Sequence, residues 1–189
     1  MTDALIISDR GNVFEALFTE NGMSSMQVAP SALGSPYVPP AKLFIVPSGF
    51  ADPKYYKGIS AALERNAEKI EEFVRNGGVV LACGAMLEDY DYDWLPGKLS
   101  YHMKFKEVDV RLVSPADPAA TFMKPRKVDC DGYFTAWDGN VIMAREEDRP
   151  VLVSKNIGKG YVVAAALHQW PSPQFLQWAC GSDREPLQI

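Results

Sequence analysis

Residues 70–86 read IEEFVRNGGVVLACGAM, and this stretch decides the fold class. A helix-like segment ends at Gly77-Gly78, and an uninterrupted apolar strand follows at once and leads into Cys83. Glycine is a common stop at a helix C-terminus. A strand without polar alternation is typical of a sheet that is covered on both faces. The stretch therefore predicts a helix that packs on a buried, parallel sheet.

The same alternation of strand and helix extends towards the N-terminus. Apolar runs at residues 4–8 and 42–46 predict two more central strands, and residues 25–28 predict a third. Apolar residues recur at helical spacing after Gly11 and again from Lys57 to Asn76. We therefore predict an α/β fold, a three-layer, flavodoxin-like sandwich with a mostly parallel central sheet.

The pattern changes after Met86. The acidic and aromatic residues 88–96 predict a loop or lid, and we expect one domain over residues 1–189. An antiparallel extension is predicted from short strands at 107–113, 126–130, 140–144 and 150–154, turns at Asp131-Gly132 and Asp138-Gly139, a tight turn at 157–160, a last strand at 161–167 and a short helix near Pro173 to Ala179.

Composition excludes several classes of function. The chain has 19 basic and 24 acidic residues without a cluster of one sign, which argues against a nucleic-acid or anionic-membrane partner. No apolar run is long enough to span a bilayer, and the N-terminus lacks a signal-peptide pattern. The three cysteines of the chain are widely spaced, which predicts a reducing, cytoplasmic location. Phosphate-binding glycine motifs and metal-ligand spacings are missing, so we expect no cofactor and no metal.

Two residues are candidates for chemistry. Cys83 ends an apolar strand, where a turn into a following helix would expose the thiol and favour its thiolate form. His168 follows the apolar run 161–167, also at the end of a predicted strand. Strand ends of a parallel sheet meet at one edge, so the two residues are predicted to lie together as nucleophile and general base.

The order of these segments resembles the class I glutamine amidotransferase-like superfamily, which includes intracellular-protease, deglycase and trehalose-utilisation-type relatives. The resemblance covers most of residues 4–178, and residues 42–86 carry its most specific part. It implies a flavodoxin-like fold and a cysteine–histidine hydrolase or amidotransferase that acts on a C–N or acyl bond of a small molecule. It also implies an oxyanion site formed by backbone N–H groups at Gly49 or Phe50 and at Gly84.

The chain departs from the pattern of these relatives at the base. Amidotransferases carry His-Pro-Glu there, with the glutamate orienting the histidine, whereas this chain has His168-Gln169-Trp170. Leu81 and Ala85 stand where the elbow usually has glycine. Glu15 lies near the position of a carboxylate that contacts the cysteine in protease and deglycase relatives, and it reads equally well as a solvated helix residue.

Less specific interpretations stand beside the catalytic one. The fold could be a non-catalytic domain that binds a small-molecule ligand or a further subunit, and a homo-oligomer is compatible with the sequence. In that case Trp94, Trp137 and Trp170 would form the contact surface. Cys130 is expected to be a small buried hydrophobe, and His102 an exposed loop residue in the unassigned segment 88–127.

Overall fold

The computed structural model describes residues 2–11 and 14–189. An eight-stranded sheet and a three-stranded sheet make up the fold. In chain order the elements are β1 (Ala4–Ile7), α1 (Glu15–Glu20), β2 (Ser25–Val28), β3 (Leu43–Val46), α2 (Ile59–Arg65), α3 (Ala67–Asn76), β4 (Val79–Cys83), β5 (Asp89–Asp91), β6 (Leu99–Asp109), β7 (Arg111–Leu112), β8 (Lys127–Trp137), β9 (Asn140–Ala144), β10 (Pro150–Ile157), β11 (Gly160–Ala165) and α4 (Pro173–Ala179).

The larger sheet has the order β2-β1-β3-β4-β11-β10-β9-β7. Strands β2, β1, β3, β4 and β11 are parallel, and β10, β9 and β7 add an antiparallel edge. The smaller sheet is antiparallel, with the order β5-β6-β8. The predicted α/β class with a mostly parallel central sheet and an antiparallel second part is confirmed.

Two hydrophobic cores lie on opposite faces of the larger sheet. Alternate residues of one strand enter different cores: Phe44 and Val46 enter one, Leu43 and Ile45 the other. Because the side-chain period of a strand is two, continuous apolar strands fill both faces at once. This two-sided burial fixes the central strands and brings their carboxyl ends to a common edge.

The predicted helix from Lys57 to Asn76 is divided into α2 and α3 at Asn66. The Asn66 side-chain amide donates to the carbonyl of Ala62, 2.8 Å away, while its backbone N–H donates to Leu63. A side chain that takes the carbonyl four residues earlier competes with the helical hydrogen bond. The single continuous helix was therefore a wrong prediction, although its apolar face is correct.

Residues 88–96 are not a lid. Strand β5 pairs with β6, and the side chains of Tyr92 and Trp94 are both 1% exposed. They pack around Phe50, with ring centroids 5.7 and 5.8 Å away. Buried aromatic side chains of this size stabilise a core. The acidic residues of the segment lie on its outer side.

The predicted turn at Asp131-Gly132 is also wrong, because both residues lie inside β8. A Cβ atom on Gly132 would lie 2.3 Å from the carbonyl oxygen of His102 on β6. Glycine inside a strand often marks such a close backbone approach. The glycine therefore permits tight pairing of β6 with β8, which run far beyond the predicted short strands.

The remaining elements agree closely with expectation at β9 and α4, where Ser172 caps the helix by accepting from the N–H of Phe175. Helix α1 begins at Glu15, while part of the predicted start after Gly11 falls on residues 12 and 13, outside the described residues. Among the described helices none has the length and apolar character needed to cross a bilayer.

Candidate functional site

Cys83 and His168 line one cavity of about 300 Å³ at the carboxyl edge of the parallel strands. We call it the Cys83 cavity. Strand β4 ends at Cys83, β3 ends just before Pro47-Ser48, and β11 ends three residues before His168. The other lining residues are Phe14, Tyr56, Leu81, Phe122, Leu167, Gln169, Trp170 and Pro171.

The segment after Cys83 forms no helix, so the predicted strand-to-helix elbow is wrong. The carbonyl of Cys83 accepts from the Tyr92 hydroxyl at 2.9 Å, and the carbonyl of Gly84 accepts from the N–H of Gly49 at 2.8 Å. Met86 then adopts a left-handed φ of 57°. The chain is thereby directed into β5, and Cys83 lacks the helix N-terminus that would have favoured its thiolate.

Asp131 is the buried carboxylate of the site, with 1% exposure. The Ser48 hydroxyl donates to its Oδ2 at 2.8 Å, and the Tyr101 hydroxyl donates to its Oδ1 at 3.1 Å. Nε2 of His168 lies 3.5 Å from Oδ2. A buried carboxylate therefore lies beside the imidazole, although no acidic residue stands two positions after the histidine in the sequence.

Backbone pairing between β8 and the chain after β11 brings this histidine and carboxylate together. Cys130 forms an isolated β-bridge with Leu167, and the N–H of His168 donates to the carbonyl of Asp129 at 2.9 Å. The N–H of Asp131 donates to the carbonyl of Ala166 at 3.2 Å. Asp131 and His168 thus project from adjacent, hydrogen-bonded segments.

The pKa of the His168 imidazole and that of the Cys83 thiol are both raised, but the causes differ. Hydrogen bonding to Asp131 raises the pKa of His168, against the effect of partial burial. Burial, followed by the negative charge of Asp131, raises the pKa of Cys83 to about 12, although a backbone N–H at Ser48 opposes the shift. At neutral pH the sulfur is therefore a protonated thiol, whereas the predicted site needs a thiolate.

Gly49 and Phe50, which were predicted to donate backbone N–H groups to an oxyanion, donate them to backbone carbonyls instead. The third predicted residue, Gly84, has a role in packing. The N–H of Gly49 donates to Gly84 as described, and the N–H of Phe50 donates to the carbonyl of Pro47 at 3.3 Å. A Cβ atom on Gly84 would lie 2.3 Å from an oxygen of Asp131. Gly84 therefore lets the buried carboxylate approach the strand end, and Gly49 and Phe50 stabilise the loop before it.

The other sequence candidates are distributed over the molecule. Glu15 is exposed on the first turn of α1 and does not line the cavity, and buried Trp94 belongs to the core. Trp170 is 54% exposed and lines the Cys83 cavity, whereas Trp137 lies elsewhere on the surface.

Cys130 is fully buried, as expected, and burial raises its pKa to about 12. His102 lies in strand β6 and not in a loop, with Nδ1 2.9 Å from a carboxylate oxygen of Asp89.

Sequence reasoning missed Asp131, Ser48 and Tyr101. Apolar Val128 and Cys130 alternate with Asp129 and Asp131, which is a strand signal that continues into the predicted turn. The pairing of that strand with the segment before His168 depends on contacts distant in sequence. Over the described residues no group of three or more His, Cys, Asp or Glu side chains is placed to hold a metal ion.

No protein-family profile and no curated protein sequence matches the chain. Solved structures do show a similar fold. A chain of PurLQS from Thermotoga maritima has 16% identity and a TM-score of 0.62, with 95% of this chain and 98% of that chain covered. Cytoplasmic protein STM1381 from Salmonella typhimurium LT2 has 14% identity and a TM-score of 0.57, with 93% of each chain covered.

A β-galactosidase from Bacillus circulans sp. alkalophilus has 14% identity and a TM-score of 0.51, with 93% of this chain covered. This chain spans only 30% of the length of that β-galactosidase. Likeness at such low identity shows the fold alone. The chain therefore shares its overall fold with these solved structures.

Proposed function

We propose that this chain binds a small molecule in the Cys83 cavity and that Cys83 is not a resting nucleophile there. One observation carries the proposal. Nε2 of His168 lies 3.5 Å from an oxygen of the buried Asp131 carboxylate, whose negative charge adds to burial in raising the pKa of Cys83 to about 12. The cavity volume of about 300 Å³ lies at the lower end of the range for small-molecule sites.

The direct test is ligand-induced thermal stabilisation with a metabolite library. A ligand that binds only the folded state raises the melting temperature by an amount that grows with the ratio of its concentration to its Kd. We expect hits that stabilise the wild type and Cys83→Ala by similar amounts, without turnover. The proposal fails when no compound stabilises the wild type, or when every hit loses its effect in Cys83→Ala.

A second candidate function is a cysteine hydrolase or amidotransferase. Its support is that Cys83, His168 and Asp131 lie at one edge of the sheet and supply the three groups of a nucleophile, a base and an orienting carboxylate. Attack of sulfur on a carboxamide would release ammonia and leave a thioester, which water would hydrolyse. Ammonia release from glutamine or other amides that is abolished in Cys83→Ala would support this candidate.

A cytoplasmic location and a homo-oligomer stay predictions.

A further inference from the structure

We infer that the occupant of the Cys83 cavity is a compact aromatic carboxylate, whose ring packs among aromatic side chains and whose carboxylate meets the imidazole of His168. This inference rests on the proposed binding function and names the chemical class of its ligand.

The lining of the cavity favours an aromatic ring. Four of its residues are aromatic: Phe14, Tyr56, Phe122 and Trp170. The rings of Phe14 and Trp170 meet edge to face with centroids 4.8 Å apart. Trp170 is nevertheless 54% exposed, so a large apolar surface is left open beside the cavity. An aromatic ligand would cover that surface in the edge-to-face arrangement that aromatic pairs prefer.

The size of the cavity limits the ligand. Its volume of about 300 Å³ equals that of roughly ten water molecules. A single ring with a short acidic side chain, about ten non-hydrogen atoms, fits inside this volume with room to spare. The cavity volume lies at the lower end of the range for small-molecule sites, so a compact ligand fits best.

The charges around the cavity favour an anion. Within the described part of the chain no Asp, Glu, Lys or Arg lines it, and its ionisable groups are Tyr56, Cys83 and His168. Asp131 lies behind His168 and is already engaged by Ser48, Tyr101 and the imidazole, so it does not offer a free carboxylate to an ammonium group. The cavity therefore presents one cationic group and no unpaired anion.

We assign the carboxylate of the ligand to the second ring nitrogen of His168, Nδ1. Nε2 lies 3.5 Å from the buried carboxylate of Asp131, which favours a proton on that nitrogen and leaves Nδ1 as the second ring nitrogen. In the charged imidazole Nδ1 donates, whereas in the neutral ring it carries a lone pair that repels a carboxylate. Because Asp131 raises the pKa of His168, the donating form persists above the ordinary pKa of histidine.

The other groups around His168 and at the rim of the Cys83 cavity do not remove the preference for an anionic ligand. The carboxylate of Asp129 adds a smaller negative influence on His168, and the ring of Phe105 lies 5.8 Å away. At the rim, Arg126 donates to Oε1 of Gln169, which leaves the Gln169 amide N–H groups as further donors. Arg10 lies over the ring of Tyr56 at 5.6 Å, with Asp9 close enough to influence the same phenol.

The test compares three probes by isothermal titration calorimetry: phenylacetate, its uncharged amide phenylacetamide, and the non-aromatic acid hexanoate. At pH 6 we expect phenylacetate to bind at least about fivefold more tightly than either of the others. The ratio of acid to amide affinity should fall towards one as the pH rises past the pKa of His168. His168→Gln should remove the pH dependence of that ratio, with His102→Gln as the matched control that keeps it.

The outcomes separate the two proposals. Equal affinity for the acid and the amide in the wild type at pH 6 overturns the anionic part, and equal affinity for hexanoate and phenylacetate overturns the aromatic part. Binding of none of the three, while other metabolites stabilise the protein, overturns the inference and leaves the proposed function intact. The affinity ratios of the three probes, measured on the wild type, test the inference even when His168→Gln fails to fold.

Discussion

Asp131 influences the pKa of both candidate side chains in the Cys83 cavity. Its carboxylate raises the pKa of His168 through a hydrogen bond and also contributes to the raised pKa of Cys83. The same charge thus favours the imidazolium and disfavours the thiolate. A nucleophilic cysteine would need a lowered pKa, whereas burial and the charge of Asp131 both raise the pKa of Cys83.

Asp131→Asn should increase the reactivity of Cys83. The substitution removes the negative charge, while the single amide oxygen still accepts from one of the two hydroxyls, Ser48 or Tyr101. We therefore expect the alkylation rate of Cys83 at pH 8 to rise roughly tenfold. Mass-spectrometric labelling with iodoacetamide measures this rate for each cysteine. Asp129→Asn is the matched control, since Asp129 is exposed and next but one on the same strand. An unchanged rate in folded Asp131→Asn would show that the carboxylate does not influence the thiol.

The raised pKa of His168 makes part of the stability depend on pH. A group whose pKa is higher in the folded state stabilises the protein fully below its unfolded pKa of about 6.5, and this contribution is lost as pH rises through the folded pKa. Urea unfolding at pH 6 and pH 9 should therefore show a decline for the wild type that is smaller in His168→Gln and in Asp131→Asn. Identical declines in all three proteins would contradict the pairing.

At the scale of elements, local sequence patterns predicted the central strands and α4 correctly. They failed where the structure depends on contacts between residues that are distant in the sequence. Apolar runs fixed β1, β3 and β4 because both faces of those strands are buried. The segment 88–96 reads as polar, yet the two aromatic residues that matter point into the core. Gly132 reads as a turn residue, but its lack of a side chain serves strand pairing, which only the position of His102 reveals.

Gly132→Ala should destabilise the protein by about 1–3 kcal/mol, the usual cost of overpacking a fixed site. The added methyl group would lie 2.3 Å from the carbonyl oxygen of His102, and backbone cannot move aside as a flexible side chain can. Gly11→Ala, where nothing lies within 4 Å of the added atom, should change the free energy of unfolding by less than about 0.5 kcal/mol. Chemical denaturation measures both, and equal effects would argue against the close approach of β6 and β8.

Trp94→Ala tests whether residues 88–96 belong to the core. Trp94 is 1% exposed, so its truncation should cost about 3–5 kcal/mol. Trp137→Ala is the control, because Trp137 is 37% exposed and should lose far less. A mobile lid would give small and similar losses in the free energy of unfolding for both variants.

At the scale of the whole molecule, the site follows from the sheet. Parallel order brings the ends of β3, β4 and β11 to one edge, which is why Cys83 and His168 could be assigned to one place from strand positions alone. The second sheet then adds Asp131 from β8. Its contribution was not predictable, since it depends on backbone pairing of β8 with the segment that precedes His168.

The most direct test of the central claim is the rate of Cys83 alkylation in the wild type from pH 6 to pH 10.5. A thiol with a pKa of about 12 is ionised in only about one molecule in ten thousand at pH 8, so the rate should rise steadily over the whole range without a plateau. A plateau reached below pH 8 would mean that Cys83 is already a thiolate near neutrality. That result would contradict the account and favour a cysteine–histidine catalytic pair.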